Sequence, residues 1–259
     1  MVMLAFGAKD REEVGMRSAR RALVVVLLAA ATTLIAVGRS SPPVRDAQPV
    51  RLDPDRFTVR IDNPFWPMAP GSRWVYRETD ADGEERRVEV TVTRWTKTVL
   101  GVEARIVRDV VTEHGRIRET TDDWFAQDAQ GNIWHLGEAG REFRDGRART
   151  TRESWQAGVD GAQPSIVVPA DPDPGTIYRP GRATTQVLSD GTRATVPYGS
   201  FDHLVITKES SALEEPRRVE HEFYARGVGP VLAITVSGGS GREELLRFDG
   251  SPTADTAQE

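Results

Sequence analysis

The densest short constellation in this chain is FAQDAQGNIWHL, residues 125–136. The span from Asp128 to Asn132 fits a four- or five-residue hairpin, with the Asp128 carboxylate capping the amides of the turn. Ile133 and Trp134 then re-enter a strand and His135 follows. One expectation is an architectural turn. The sharper one makes Asp128, Asn132, Trp134 and His135 part of a ligand site. Carboxylates gather around it at Asp122, Asp123, Asp128 and Glu138. Two carboxylates at a suitable separation would do acid–base work on a glycoside. Asp122 and Asp123 are adjacent, however, and neighbours on a strand point to opposite faces, so they cannot act as that pair. Ion pairing with arginines is the simpler expectation.

The other chemical residues form weaker patterns. None of the four histidines, His114, His135, His203 and His221, belongs to an H-x-H or H-E-x-x-H unit, so no metal site is expected. Alternation in VEHEF places His221 with Val219 and Phe223 on an inner face, as a core histidine. Ser200 and His203 lie close in sequence, but no G-x-S-x-G elbow presents the serine. DADGE at 80–84 lacks the ligand frame of a calcium loop and reads as a turn. SGGSGRE at 237–243 lacks the helix and lysine that a phosphate cradle needs. No catalytic residue and no cofactor are expected.

Six tryptophans remain: Trp66, Trp74, Trp95, Trp124, Trp134 and Trp155. In the run ending TVTRW, Trp95 lies on the face opposite Val88, Val90 and Val92. Trp124 and Trp134 are placed outward from the core in the same way. Together they would form a stacking or apolar binding surface, unless both faces of the sheet are covered.

The elements that must position these residues are strands. After residue 60 the dominant period is two, as in VEVTVT at 88–93, LVITKE at 204–209 and VLAITV at 231–236. Turn residues punctuate them at Asp82-Gly83, His114-Gly115, Gln130-Gly131-Asn132, Asp190-Gly191 and Gly238-Gly239. No long window after Ser41 shows a 3.6-residue apolar period. The expected fold is all-β, an antiparallel hairpin-connected sheet of ten to twelve strands closed as a half-barrel, barrel or sandwich. Its expected core includes Trp74, Tyr76, Val88, Val90, Val92, Val107, Phe125, Trp134, Leu136, Leu204, Phe223, Leu246 and Phe248.

The chain has 259 residues, 38% of them hydrophobic and 28% charged, a mixture suited to a folded domain. With no cysteine, disulfides, thiolate metal sites and cysteine nucleophiles are excluded. A net charge of −5 argues against nucleic acid as a partner. Ala22 to Val37 is uncharged and apolar, follows Arg17, Arg20 and Arg21, and ends in the small-residue exit Ala36-Val37-Gly38. As a helix it would span about 24 Å, short of a ~30 Å hydrocarbon core. Residues 1–41 therefore read as a signal peptide or signal anchor, with Met16 as the expected initiator. Arg39 stands where a lipidated cysteine would be. The remaining organisation is an extended linker over 42–59, one all-β domain over 60–249 with a long crossover at 157–182, and a disordered tail over 250–259. The membrane is a partner only through the N-terminal segment, if that segment stays uncleaved.

Four stretches, DNPFWPMAPGSRWVYRET (62–79), DDWFAQDAQGNIWHLGE (122–138), SWQAGVDGAQPSIVVPADPDPG (154–175) and EHEFYARGVGPVLAITVSGGSGREELLRF (220–248), carry a resemblance. Over about residues 60–249 the chain resembles a family of uncharacterised exported bacterial proteins, frequent in actinobacteria. The resemblance implies export and a β-rich fold, and brings no activity, ligand or catalytic residue with it. This chain departs from the pattern after Tyr178, where it is shortened, and at Arg152-Glu153. PGSRWVYR followed by hairpins also resembles the lipid-carrier half-barrels of exported proteins, at the level of fold. Three functions are consistent with this. The first is a non-catalytic binding or interaction module at the cell surface, for a small molecule or a cell-envelope component. The second is a carrier of lipid or another apolar ligand. The third is an extracellular hydrolase using Asp/Glu and His135 or His203.

Overall fold

Val88, Val90 and Val92 alternate with Glu89, Thr91 and Thr93, and burial alternates with them, because successive strand side chains point to opposite faces. The same rule builds the rest of the molecule. The computed structural model describes residues 50–178, 181, 183–211 and 218–250. The expected signal segment, Met16 and residues 251–259 lie outside the described residues.

A 3₁₀ turn at Pro54–Arg56 leads into β1 (Phe57–Thr58). One meander then comprises β2 (Arg73–Asp80), β3 (Glu85–Val99), β4 (Val102–Glu113), β5 (Arg116–Asp128), β6 (Ile133–Arg144) and β7 (Arg147–Thr150). The stretch after β7 adds β8 (Trp155–Gln156), and the crossover contributes β9 (Ser165–Val168) and β10 (Ile177–Tyr178). The second meander is β11 (Ala183–Val196), β12 (Gly199–Ser211), β13 (Val219–Ala225), β14 (Gly229–Ser237) and β15 (Gly241–Asp249). The fold is all-β, and every pairing is antiparallel. The sheet order is β10-β11-β12-β13-β14-β15-β2-β3-β4-β5-β6-β7, so β15 joins the two meanders by pairing with β2. β1 pairs with β5, and β8 and β9 pair with β6. Among the described residues fifteen strands replace the expected ten to twelve. The excess is the two-residue strands β1, β8 and β10, which are too short to show any alternation.

Turn chemistry explains most of the hairpins. His114 and Gly115 both take positive φ, 49° and 74°, as a two-residue type I′ connection requires. Asp190-Gly191, expected as a hairpin, lies inside β11. There the register against β12 slips at Val187/Ser189 and Ser189/Thr192, so the pair forms an irregularity within a long strand.

The sheet curls until its distant strands meet. Trp66, on the segment between β1 and β2, sits with its ring centroid 5.3 Å from Phe125 on β5 and 6.2 Å from Tyr224 on β13. Asn63 and Gln127 anchor that segment. The Gln127 Oε1 accepts from the backbone amides of Asp62 and Asn63, and the Asn63 side-chain Nδ2 donates to Gly131 O and Pro169 O. At the open side the Ala183 amide on β11 donates to Ser165 Oγ on β9 at 3.1 Å. The crossover therefore lies across the mouth between the two ends of the sheet.

Two cores result. The inner face of β2–β6 contributes Trp74, Tyr76, Val88, Val90, Val92, Val107 and Phe125, which pack with Val187, Val205 and Tyr224 from the other meander. On the outer face a second cluster forms from Val99, Val102, Ala104, Trp124, Ala126, Leu136 and Ala157. Leu52, Phe57 and Trp155 pack over it. Trp124 does face outward from the main core, but this second layer buries it to 5% exposure, so it is no part of an open surface. Leu246 is also corrected. A register slip between Leu245 and Arg247 turns Leu245 inward to zero exposure and leaves Leu246 half-buried.

Candidate functional site

On β3, register runs Val92↔Val107 and then Thr96↔Arg105, four residues against two. The surplus is a bulge holding Thr93, Arg94 and Trp95. Its backbone is fastened from both strands. Thr93 Oγ1 donates to Ile106 O at 2.7 Å and accepts from the Trp95 amide, and Arg105 donates to Arg94 O at 3.0 Å. The bulge pushes Trp95 out of the sheet, leaving it 63% exposed. The Arg108 guanidinium carbon lies 5.7 Å from the Trp95 ring centre. Asp122 grips Arg108 in a two-point ion pair at 2.6 and 2.8 Å, which raises the arginine pKa and fixes its plane. This is the arginine pairing expected for an Asp122 that faces away from Asp123. An open groove of about 510 Å³ runs along this surface, lined by Pro70, Gly71, Thr91, Thr93, Arg94 and Trp95.

Asp128 behaves as a turn builder. Oδ1 accepts from the amides of Gln130 and Asn132, each at 2.9 Å. Oδ2 accepts from Asn132 Nδ2 and Trp134 Nε1, each at 2.8 Å. Asn132 Oδ1 in turn accepts from the Ala170 amide and ties the crossover to the hairpin. Trp134 rests edge-on to Phe57, with centroids 6.0 Å apart, against the second core. Three sequence candidates are thus joined in one hydrogen-bonded turn, whereas Trp95 and Trp124 stand apart from it.

His135 belongs to a different group. It lies opposite Phe125, and Glu138 lies opposite Asp123, while Trp124 pairs with Gly137. Between the first two pairings β6 spends one residue more than β5, and Leu136 is that extra residue. Cross-strand partners share a face, so Asp123, His135 and Glu138 all stand on the inner face. The ligand atoms of the three lie within 4.8 Å of one another. Asp123 Oδ1 is 3.0 Å from His135 Nε2. The imidazole stacks on Phe125 at 4.8 Å and takes the edge of Trp155 at 5.2 Å. Burial by itself would lower the His135 pKa. The hydrogen-bonding capacity and charge of Asp123, with the charges of Glu138 and Glu209, outweigh it and raise the value above 6.5. Glu209 comes from β12, so this field arises only because the sheet curls. His221 has the opposite balance: burial, then the Lys208 charge, lower its pKa. His203 sits at positive φ, exposed, far from this arrangement in the sheet order.

The sequence offered Asp123 and Glu138 as clustered carboxylates and His135 as a hydrolase histidine, but did not single out these three as the group that meets. The only local trace is H-x-x-E ending at Glu138, with Gly137 inside it. Nor did the sequence single out the β6–β7 hairpin, where Arg144, Asp145, Arg147 and Arg149 line a shallow hollow of about 300 Å³.

The chain is thus a curled, open antiparallel β-sheet protein with an aromatic groove outside and a carboxylate–imidazole cluster inside. No family model matches it, and neither does any curated protein. Among solved structures it is similar to a candidate lipoprotein of Parabacteroides distasonis, at 16% identity and a TM-score of 0.41, over 71% of this chain and 98% of that one. It is also similar to a candidate exported protein with a YmcC-like fold from Bacteroides fragilis, at 12% identity and a TM-score of 0.42, over 72% and 99% respectively. Both come from Bacteroides-type organisms, and the actinobacterial type expected for the resembled family finds no support in them.

Proposed function

We propose that the chain is an exported, non-catalytic binding module acting at the cell surface as one β domain. Its contact surface is the outer groove at Trp95. The signal-like residues 1–41 support export. The observation that carries the binding role is the exposed Trp95 on its bulge, with Arg94 in the groove and Arg108 beside the ring. A flat aromatic face with the Arg94 guanidinium beside it, and Arg108 already neutralised by Asp122, suits a saccharide ring bearing carboxylate or phosphate, the chemistry of an anionic cell-envelope glycan. The test is titration of the processed protein and of its Trp95→Ala variant with soluble uronic-acid and phosphate-bearing oligosaccharides, measured by isothermal titration calorimetry. Saturable binding that Trp95→Ala weakens at least tenfold, with an unchanged melting temperature, supports the reading. Binding indifferent to Trp95→Ala, or none with either glycan class, overturns it.

The packing of Trp66 between Phe125 and Tyr224 weighs against lipid carriage, since those rings occupy the apolar part of the curl. One observation favours a hydrolase as a second reading: Asp123, Glu138 and His135 converge. Chromogenic glycosides and esters, assayed on the wild type and on Asp123→Asn, test it. Hydrolysis that does not fall in the variant removes that reading.

A further inference from the structure

The inner cluster is built in a way that ion pairing alone does not require. On a regular strand His135 and Glu138 would face opposite sides. The Leu136 bulge brings them to one side, and the register places Asp123 against them. Gly137 makes this possible with φ 145°. A Cβ there would come within 2.6 Å of Trp155 O and 2.7 Å of the Trp124 ring, so the bend admits no other residue without movement. The aromatic contacts of His135 hold its ring, and so the direction of Nε2, before any ligand arrives. Nε2 is buried and makes no hydrogen bond of acceptable geometry, although Asp123 Oδ1 is 3.0 Å away. A cation placed between this ring nitrogen and the carboxylate beside it would satisfy both.

We infer that Asp123, His135 and Glu138 form a three-ligand site for a divalent first-row cation of the zinc class. Two carboxylate oxygens and one imidazole nitrogen are ordinary zinc donors at about 2.0–2.2 Å, which sets ligand atoms about 3.3–3.5 Å apart in a tetrahedron. Atoms already within 4.8 Å reach that spacing by side-chain rotation. Three protein ligands leave a fourth position for water or a ligand donor. The charge of Glu209 on β12 is also felt at His135. Softer metals that prefer thiolate are disfavoured, because the chain has no cysteine.

The site is independent of the Trp95 groove, which lies on the other face of the sheet, so either proposal can fail alone. The experiment is titration of chelator-treated, processed protein with Co²⁺, followed by visible absorption, and then displacement by Zn²⁺. The expected result is one Co²⁺ per chain with ligand-field bands in the visible, lost on addition of one equivalent of Zn²⁺. Asp123→Asn and Glu138→Gln should each weaken Zn²⁺ at least tenfold, and His135→Asn should abolish the bands. Circular dichroism of each variant checks folding. If His135→Asn fails to fold, the two carboxylate variants decide. Absence of bands at millimolar Co²⁺, or stoichiometric binding that neither carboxylate variant weakens, overturns the inference.

Discussion

His135 and Glu138 stand on the same side of β6 although they are three positions apart in the chain. The bulge at Leu136 supplies the half-period that regular alternation lacks. Leu136 itself turns the other way and is fully buried in the second core. One inserted residue therefore serves both faces: it completes a hydrophobic layer outside and a polar cluster inside.

Gly137→Ala tests that hinge. A Cβ meeting backbone at 2.6 Å and an indole ring at 2.7 Å, at positive φ, forces the strand to shift. The expected loss is about 1–3 kcal/mol, the range for a residue held in a sparsely populated conformation. Urea denaturation followed by circular dichroism measures it. An unchanged midpoint would mean that the bulge is not held as described.

Trp95 and Trp124, both on the outer face, should behave differently. Trp95→Ala removes an exposed side chain and is expected to change stability by no more than about 0.5 kcal/mol. Trp124→Ala empties part of the second core beneath Lys97, whose ammonium lies 3.6 Å from the ring centre, and should cost about 3–5 kcal/mol. Thermal melts of both variants, recorded together, make the comparison.

The Leu245/Leu246 pair tests the slip on β15. Leu245→Ala is expected to cost about 2–5 kcal/mol as a buried truncation, and Leu246→Ala clearly less. Chemical denaturation giving equal losses would contradict the register.

Acid stability should depend on Glu244. Burial alone would raise its pKa, but hydrogen bonds and charge from Arg242 and Arg77 outweigh this and hold it below 4.5. A carboxyl lowered on folding contributes stability that is fully present above its unfolded value of 4.5. That stability is lost as the pH falls through the lower folded value. Glu244→Gln should flatten the fall in melting temperature on the acid side of pH 4.5. A variant with the same acid slope as the wild type would show that these arginines are not its partners.

Much of this architecture was legible along the chain. Val88, Val90 and Val92 declared their shared face. His114-Gly115 announced a hairpin. Asp128 with Asn132 announced a capped turn, because such a turn is made by residues within hydrogen-bonding reach of one another along the chain. Asp190-Gly191 misled for the complementary reason: β12 supplies enough pairing to carry the strand through a pair that would turn in isolation.

By itself, then, the sequence determined the strand content, the antiparallel hairpins and the alternation within each regular run, since these follow from steric rules acting over two to five residues. The tertiary structure alone decided where alternation breaks. A bulge is defined by two residues opposing one, and the opposing strand enters only when the sheet assembles. That is why Leu245 and not Leu246 is inside, and why His135, Glu138 and Asp123 meet. Trp124 is buried for a related reason: Leu52, Phe57 and Ala157 are brought over the outer face by pairings between segments far apart in the chain.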